Sequence, residues 1–287
     1  MVYLECQFKA INSRTISRAT QYEYGKHTDM LKLQDKTALI TGSDSGIGKA
    51  TAIAFAEQGA DIVICYHSDK EGAEETLNAV QEKGRRGIVL QVDISDEESV
   101  DKLFKKSLQQ FKAIDILVNN AAVNGSGINV ADMSTEVFDR TIKTNLYGTF
   151  FCSRTFIRHR KQQGGKGKII NVSSVHEEIV SAGTADYCAS KAGVRNLTRT
   201  LALELAEDGI NVNNICPGMI LTPMNQEAVE DKEARKESEQ HIPMKRAGKP
   251  EEIAKVAVFL ASADADYVTG SSYFMDGGLS QNVGQGA

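Results

Sequence analysis

The chain has 287 residues, enough for one large domain or two small ones with a substantial core. A net charge of −5, with 25% charged and 41% hydrophobic residues, is that of an ordinary globular chain; without a long basic run it argues against nucleic-acid binding as the main activity. No apolar stretch approaches the roughly 20 residues of a membrane span, and no secretory core is present, so the expectation is a cytoplasmic protein without a membrane partner.

Residues 1–30 differ in character from the rest, with Arg14, Arg18, several Ser and Thr and no apolar periodicity. Glu5, Glu23 and Asp29 weaken an organellar-leader reading, and the segment reads as a poorly ordered extension or a start-site artefact ahead of a domain spanning 31–287. Beyond it, β-rich runs alternate with helical segments, the pattern of βαβ units. Strands are predicted at Thr37–Thr41, Ile62–Tyr66, Ile88–Val92, Ile116–Asn119, Lys168–Val172, Asn211–Ile215 and Ser272–Met275. Helices are expected to begin near Ile47, Lys70, Asp96, Thr135, Thr184 and Pro250. Ser95 and Glu98 have capping-box spacing, Pro250 suits a first helical position, and Gly59 and Gly84 suit helix ends. These elements predict one doubly wound α/β domain: about seven parallel strands with helices on both faces.

The first strand runs into Gly42-x-x-x-Gly46-x-Gly48 and an Ala-rich helix. Glycines in such a turn let backbone approach a pyrophosphate, and the helix N-terminus supplies N–H donors and a positive dipole end. Five cysteines (Cys6, Cys65, Cys152, Cys188, Cys216) lack C-x-x-C spacing and read as reduced thiols, with no metal site expected. Between Pro217 and Gly248 the chain turns charged, which suggests a helical flap, 217–248, over a site.

Tyr187 and Lys191 lie four apart on a predicted helix and so share a face, with Ser174 thirteen residues before the tyrosine. A free phenol has a pKa of about 10. A fixed cation beside it favours the phenolate and fits a tyrosine for acid–base work at neutral pH. Alone, the spacing more often marks a core aromatic beside a solvated lysine; the glycine turn upstream reverses that balance.

With Thr41-Gly42…Gly46-Ile47-Gly48, Asn119-Asn120-Ala121, Asn145-Leu146-Tyr147-Gly148, Ser173-Ser174, Tyr187…Lys191, Pro217-Gly218 and Asp276-Gly277-Gly278, the chain resembles the short-chain dehydrogenase/reductase family over residues 31–279. The resemblance implies a Rossmann-type domain, an NAD or NADP cofactor, hydride transfer to or from a CH–OH carbon, and a homotetramer. It implies that Tyr187 exchanges a proton with the substrate oxygen and that Lys191 assists it and holds the nicotinamide ribose. Ser174 would orient the substrate oxygen, and Asn145 would hold a water next to Lys191. Cofactor contacts are expected from Gly42, Ser45, Gly46, Ile47, Gly48, His67, Asp93, Asn119, Ala121, Tyr187, Lys191, Pro217, Gly218, Ile220 and Thr222. Asp93 alternatively reads as a turn residue. Ala122 stands where the family usually has glycine.

The second strand ends without an acid at its tip, where NAD users normally carry one. His67 and Ser68 suit a 2′-phosphate while Asp44 opposes it, so use of both cofactors is expected. Asn171–Glu177, Asn213–Gly218, Ile242–Met244 and Tyr267–Gly270 are similar to bacterial glucose 1-dehydrogenases, with His176 and Glu177, alongside Ser174 and Tyr187, as candidate contacts to a small-molecule polyol; the pair equally suits an exposed loop. A 3-oxoacyl thioester or other carbonyl reductase is the alternative, and a non-catalytic dinucleotide-binding regulator the third reading.

Overall fold

The computed structural model describes residues 31–282; the N-terminal extension, with Cys6, lies outside them. Seven parallel strands form one sheet: β1 (Thr37–Ile40), β2 (Asp61–Tyr66), β3 (Gly87–Gln91), β4 (Ile116–Asn119), β5 (Gly167–Val172), β6 (Ile210–Pro217) and β7 (Ser272–Met275). Their order is β3-β2-β1-β4-β5-β6-β7. The chain moves outward one way from β1 and then the other way from β4, so the crevice between these strands is the switch point where open α/β sheets bind ligands.

Strands buried on both faces need apolar side chains at successive positions. In β1, Ala38 and Ile40 join one core layer while Leu39 joins the other; Ile62 and Ile64 alternate with Val63 and Cys65 in the same way in β2. Helices α1 (Gly46–Glu57), α2 (Lys70–Glu82) and α9 (Pro250–Ala261) cover the first layer through Phe55, Val80 and Leu260. On the second lie α3 (Glu97–Gln110), α5 (Gly148–Gln163) and α6 (Ala185–Leu205), through Phe104, Phe156 and Leu205. The doubly wound Rossmann-type architecture predicted from the sequence is therefore the one observed.

Pro250 opens α9, and Gly59 and Gly84 follow α1 and α2 at φ of +92° and +72°. The expected Ser95 box does not form: Asp96 caps α3, accepting from the Glu98 and Ser99 amides at 3.2 Å each, while Ser95 donates to Asp93. Aspartate is an equally good cap and stands one residue nearer the helix. The helix expected from Thr135 is interrupted: α4 (Thr135–Ile142) passes through a π turn, Lys143–Tyr147, into α5. The charged segment contains two short helices, α7 (Gln226–Glu230) and α8 (Lys232–Gln240), the latter without a buried residue. Its base is tied where the Leu221 amide donates to the Gly248 carbonyl (3.1 Å) and the Gly248 amide to that of Met219 (2.9 Å). No helix among the described residues is long and apolar enough to cross a membrane.

Candidate active site

A cavity of about 740 Å³ opens at the C-terminal ends of the strands, over the switch point. Its floor at one end is the β1–α1 turn. Gly42 and Gly46 take φ of +60° and +53°, a region that penalises other residues. A Cβ at Gly42 would press on Ala121 Cα at 3.0 Å, and one at Gly46 on Thr222 at 3.2 Å. The turn therefore brings bare backbone to the cavity wall, together with Ser45 and Ile47. The Thr41 hydroxyl accepts from the Asn120 amide (2.9 Å) and the Ala121 amide (3.0 Å), locking the loop after β4 against the turn.

Of the expected cofactor contacts, Gly42, Ser45, Gly46, Ile47, His67, Asp93, Ala121, Tyr187, Lys191, Pro217, Gly218, Ile220 and Thr222 all line this cavity. Gly48 and Asn119 do not. Gly48 packs against the turn from behind: a Cβ there would overlap the Gly42 carbonyl and lie 2.6 Å from Asn120 Nδ2. Asn119 points into the sheet, where its Nδ2 donates to Ser153 Oγ (3.0 Å) and Asn171 Oδ1 (2.8 Å). Sequence reasoning missed its neighbour Asn120, and also Val123, Asn124, Arg140, Thr144, Met219 and Met224, all of which line the cavity. Nothing in their spacing marks them; loops returning from separate strands bring them together.

At the other end stand Ser174, His176, Tyr187 and Lys191. Ser174 opens the short turn Val175–Glu177 after β5, and its Oγ accepts from the His176 amide at 3.2 Å. Tyr187 and Lys191 project from α6 with the ammonium 5.5 Å from the phenol ring centroid. Lys191 Nζ donates to the Val172 carbonyl at the tip of β5 (2.9 Å), so strand and helix jointly place it. Burial pushes Lys191 down to about 8, with Cys216 and Glu177 acting the other way. Burial likewise pushes the Tyr187 phenol above its ordinary value, opposed by a hydrogen bond from Ser174. The expected lowering of Tyr187 by the lysine is thus not what the site shows; desolvation dominates, and what opposes it is Ser174.

Asn145 sits in the π turn and is buried away from the cavity. Its Oδ1 accepts from the Val123 amide (2.8 Å), and its Nδ2 faces the Val123 carbonyl (3.0 Å) and Ser190 Oγ (3.2 Å). Ser190 Oγ in turn donates to the Tyr187 carbonyl (2.7 Å). Asn145 therefore ties the loop after β4 to the helix of Tyr187, and only its backbone remains for the water-holding role the resemblance implied. π turns of this kind recur at functional sites.

His176 meets Tyr187 edge to face at 5.9 Å between ring centroids, and its Nδ1 lies 3.1 Å from the Ile179 carbonyl. That carbonyl can only accept, so Nδ1 carries a proton, and Nε2 is the acceptor of the neutral ring. Glu177 does not face the cavity. The tight turn sends consecutive side chains apart, and Glu177 enters the protein, where Asn214 Nδ2 (3.0 Å) and Ser272 Oγ (2.6 Å) donate to its two oxygens. Of the pair expected to face a polyol, His176 lines the cavity and Glu177 does not.

A doubly wound sheet with a glycine turn at its switch point, and a Ser, Tyr and Lys converging on the same cavity, defines a dinucleotide-dependent oxidoreductase. Comparison with known proteins agrees. Residues 42–280 match the family model described as enoyl-(acyl carrier protein) reductase. The chain is 47% identical over 251 residues to 3beta-hydroxysteroid dehydrogenase 1 of Eggerthella lenta, covering 86% of this chain and 94% of that one. It is 40% identical over 247 residues to glucose 1-dehydrogenase 2 of Bacillus subtilis, covering 86% and 95%. A gluconate 5-dehydrogenase from Burkholderia cenocepacia, solved with NADP and tartrate, superposes with a TM-score of 0.81 at 33% identity, covering 88% and 98%. The chain belongs to the short-chain dehydrogenase/reductase family and is an NAD(P)-dependent oxidoreductase of CH–OH groups.

Proposed function

We propose that this protein transfers a hydride between nicotinamide and a ring secondary alcohol or hemiacetal of a sugar, such as C1 of glucose, with Tyr187 as the proton-exchanging acid–base. The observation that carries this reading is the convergence of Ser174, His176, Tyr187 and Lys191 at one end of a cavity whose other end is bare glycine backbone. The cradle fits a dinucleotide: Gly42 and Gly46 leave room for a pyrophosphate beside the N-terminus of α1, and Asp93 lines the wall further out. The nicotinamide, when bound, supplies the hydride chemistry. Ser174 donates to the substrate oxygen and orients it. Tyr187 removes the alcohol proton in oxidation and returns it in reduction. Lys191, held by Val172, supplies positive charge beside the phenolate formed in the exchange. The Nε2 acceptor of His176 suits a further sugar hydroxyl. Family members assemble as tetramers, and exposed Tyr147, Phe150 and Leu203 on the π turn, α5 and α6 suit such an assembly.

A second reading, a hydroxysteroid, is supported by the name of the 47% identical relative and by Val123, Met219, Met224 and Leu279 in the cavity lining. A panel of aldoses, polyols, hydroxysteroids and oxoacyl thioesters, read by the absorbance of reduced nicotinamide, separates these. On whichever compound turns over, Tyr187→Phe should lower kcat by about a hundredfold to ten-thousandfold, as loss of a positioned acid–base does; unchanged turnover would overturn the mechanism.

A further inference from the structure

We infer that Asp186, the residue before Tyr187, is a positioning residue: it locks the loop after β4 onto the start of α6 and so fixes where the phenol stands against the cavity wall. This rests on the acid–base role proposed above for Tyr187. Asp186 is fully buried and does not line the cavity, so it acts through the segments it joins. Its Oδ2 accepts from the Thr141 hydroxyl of α4 at 2.9 Å and from the Ser126 amide at 3.2 Å. The ion pairs made by α6 are those of Arg195 with Glu177 and Glu178; Asp186 has none among the described residues. Burying a carboxylate without a cation is costly, and its place in the first turn, at the positive end of the helix dipole, offsets part of that cost. What the carboxylate adds at this point is one acceptor shared by two separate segments.

Those segments meet backbone to backbone. A Cβ at Gly125 would lie 3.1 Å from Thr184 Cγ2 and 3.2 Å from Tyr187 Cβ. Gly183, at φ of +77°, continues the contact: a Cβ there would lie 3.1 Å from both the carbonyl carbon and the carbonyl oxygen of Gly127. Helix α6 begins at this junction without a side-chain cap, because the Thr184 hydroxyl turns back to the Ser181 carbonyl at 2.8 Å. Tertiary contact therefore holds the first turn, and Asp186 is the polar side chain of that turn that makes it.

The other tie of the same loop is the Asn145 connection described above, which takes the Val123 amide and reaches the Tyr187 carbonyl through Ser190. Tyr187 thus stands between two ties, one on each side of it in the chain. The loop they hold supplies Asn120, Ala121, Ala122, Val123 and Asn124 to the cavity lining. The junction at Asp186 accordingly sets the distance between these groups and the phenol. A reacting group displaced by about 1 Å loses on the order of a hundredfold in rate.

The test compares Asp186→Ala with Asp186→Asn, whose side-chain oxygen keeps the acceptor for Thr141 and Ser126 without the charge. Turnover is measured with glucose and NAD, or with whichever compound of the panel above turns over, well below the Tm of each variant. NADH binding is read by nicotinamide fluorescence. Asp186→Ala should lower kcat about tenfold to a hundredfold and leave NADH affinity within about threefold, while Asp186→Asn restores most of the lost kcat. A merely structural residue would lower Tm and leave the kcat of the folded protein in place. Unchanged kcat in Asp186→Ala, equal loss in both variants, or NADH affinity lost in step with kcat would each overturn the inference. Should Asp186→Ala not fold, Gly125→Ala reads the same junction from the loop side. It removes no side chain and crowds Thr184 and Tyr187 Cβ, so kcat should again fall with NADH affinity kept, and an unchanged kcat would overturn the inference. Tyr187→Phe run in parallel keeps the two levels apart. Survival of turnover there removes the acid–base mechanism and this role with it, whereas an impaired Tyr187→Phe beside a fully active Asp186→Ala removes only this role.

Discussion

Gly48→Ala tests whether the third glycine of the turn serves packing and not cofactor contact. The new methyl would overlap the Gly42 carbonyl oxygen, lie 2.8 Å from the Gly42 carbonyl carbon and 2.6 Å from Asn120 Nδ2. The first two are backbone and do not swing away. The third is the amide that donates to both the Thr41 carbonyl (2.9 Å) and the Gly42 carbonyl (2.8 Å), so moving it breaks two hydrogen bonds. Overpacking costs about 1–3 kcal/mol, and each of the two lost bonds about 0.5–1.5 kcal/mol, so about 2–6 kcal/mol in all is expected. For a domain of this size each kcal/mol is worth about 2–4 °C, and the middle of that range, about 4 kcal/mol, lowers Tm by about 8–16 °C. NADH affinity should fall at least tenfold, because Gly42 is displaced from the cavity wall. Gly84→Ala is the control: its φ of +72° carries the usual left-handed penalty of about 1 kcal/mol, but its Cβ would meet nothing within 4 Å. A Gly48→Ala protein with Tm within a few degrees of that control and unchanged NADH affinity would refute the reasoning.

Asp44 lines the cavity together with His67, at the end proposed to take the adenosine, and burial, with Asp69 nearby, raises its carboxyl above the ordinary range. Asp44→Asn removes a charge that repels a 2′-phosphate, so the ratio of NADPH to NADH affinity should rise about tenfold, the equivalent of about 1.4 kcal/mol; an unchanged ratio in fluorescence titrations counts against that placement. Both cofactors should support turnover in the wild type, and a kcat/KM ratio above about a thousandfold either way would defeat this expectation. Lys191 gives a pH prediction with a defined sign. Its folded-state value of about 8 lies below the 10.5 of an unperturbed lysine, so between these values the folded chain binds fewer protons than the unfolded one. On this account stability rises with pH across that window, by about 3 kcal/mol at most, while activity falls as the ammonium is lost. Thermal melts of wild type against Lys191→Met from pH 7.5 to 10.5 (roughly the span of the two values) should show the wild type gaining on the variant, and parallel curves would refute it.

The sheet was legible because buried parallel strands are short β-branched runs between turn residues, and β1, β2 and β4 therefore fall within one residue of their predicted bounds. The Tyr187–Lys191 pair was legible because a four-residue helical spacing fixes which side chains share a face, whatever surrounds them. What spacing does not carry is dielectric. The same four residues would lower the phenol on a wet helix; on α6, under the strand tips, desolvation dominates and drives both groups toward their neutral forms.

Asn119 and Glu177 were misplaced for a related reason. Asn119, Asn171 and Asn214 look like separate motif residues in the sequence, each on a different strand, and become one row only when the register aligns them. Glu177 then has to be read with that row: a glutamate after a catalytic serine looks like a substrate contact until Asn214 and Ser272 are found donating to it from behind. The consequence for the chemistry is directional. A buried lysine and a buried tyrosine, left alone, favour the uncharged pair, and the transfer of a proton from substrate through Tyr187 then depends on groups that restore charge to the site. Ser174 does so through its hydrogen bond to the phenol oxygen, and the Val172 carbonyl does so by accepting from the ammonium. The pair that defines the reaction type is therefore set by the tip of β5 and the turn after it as well as by the helix that carries it.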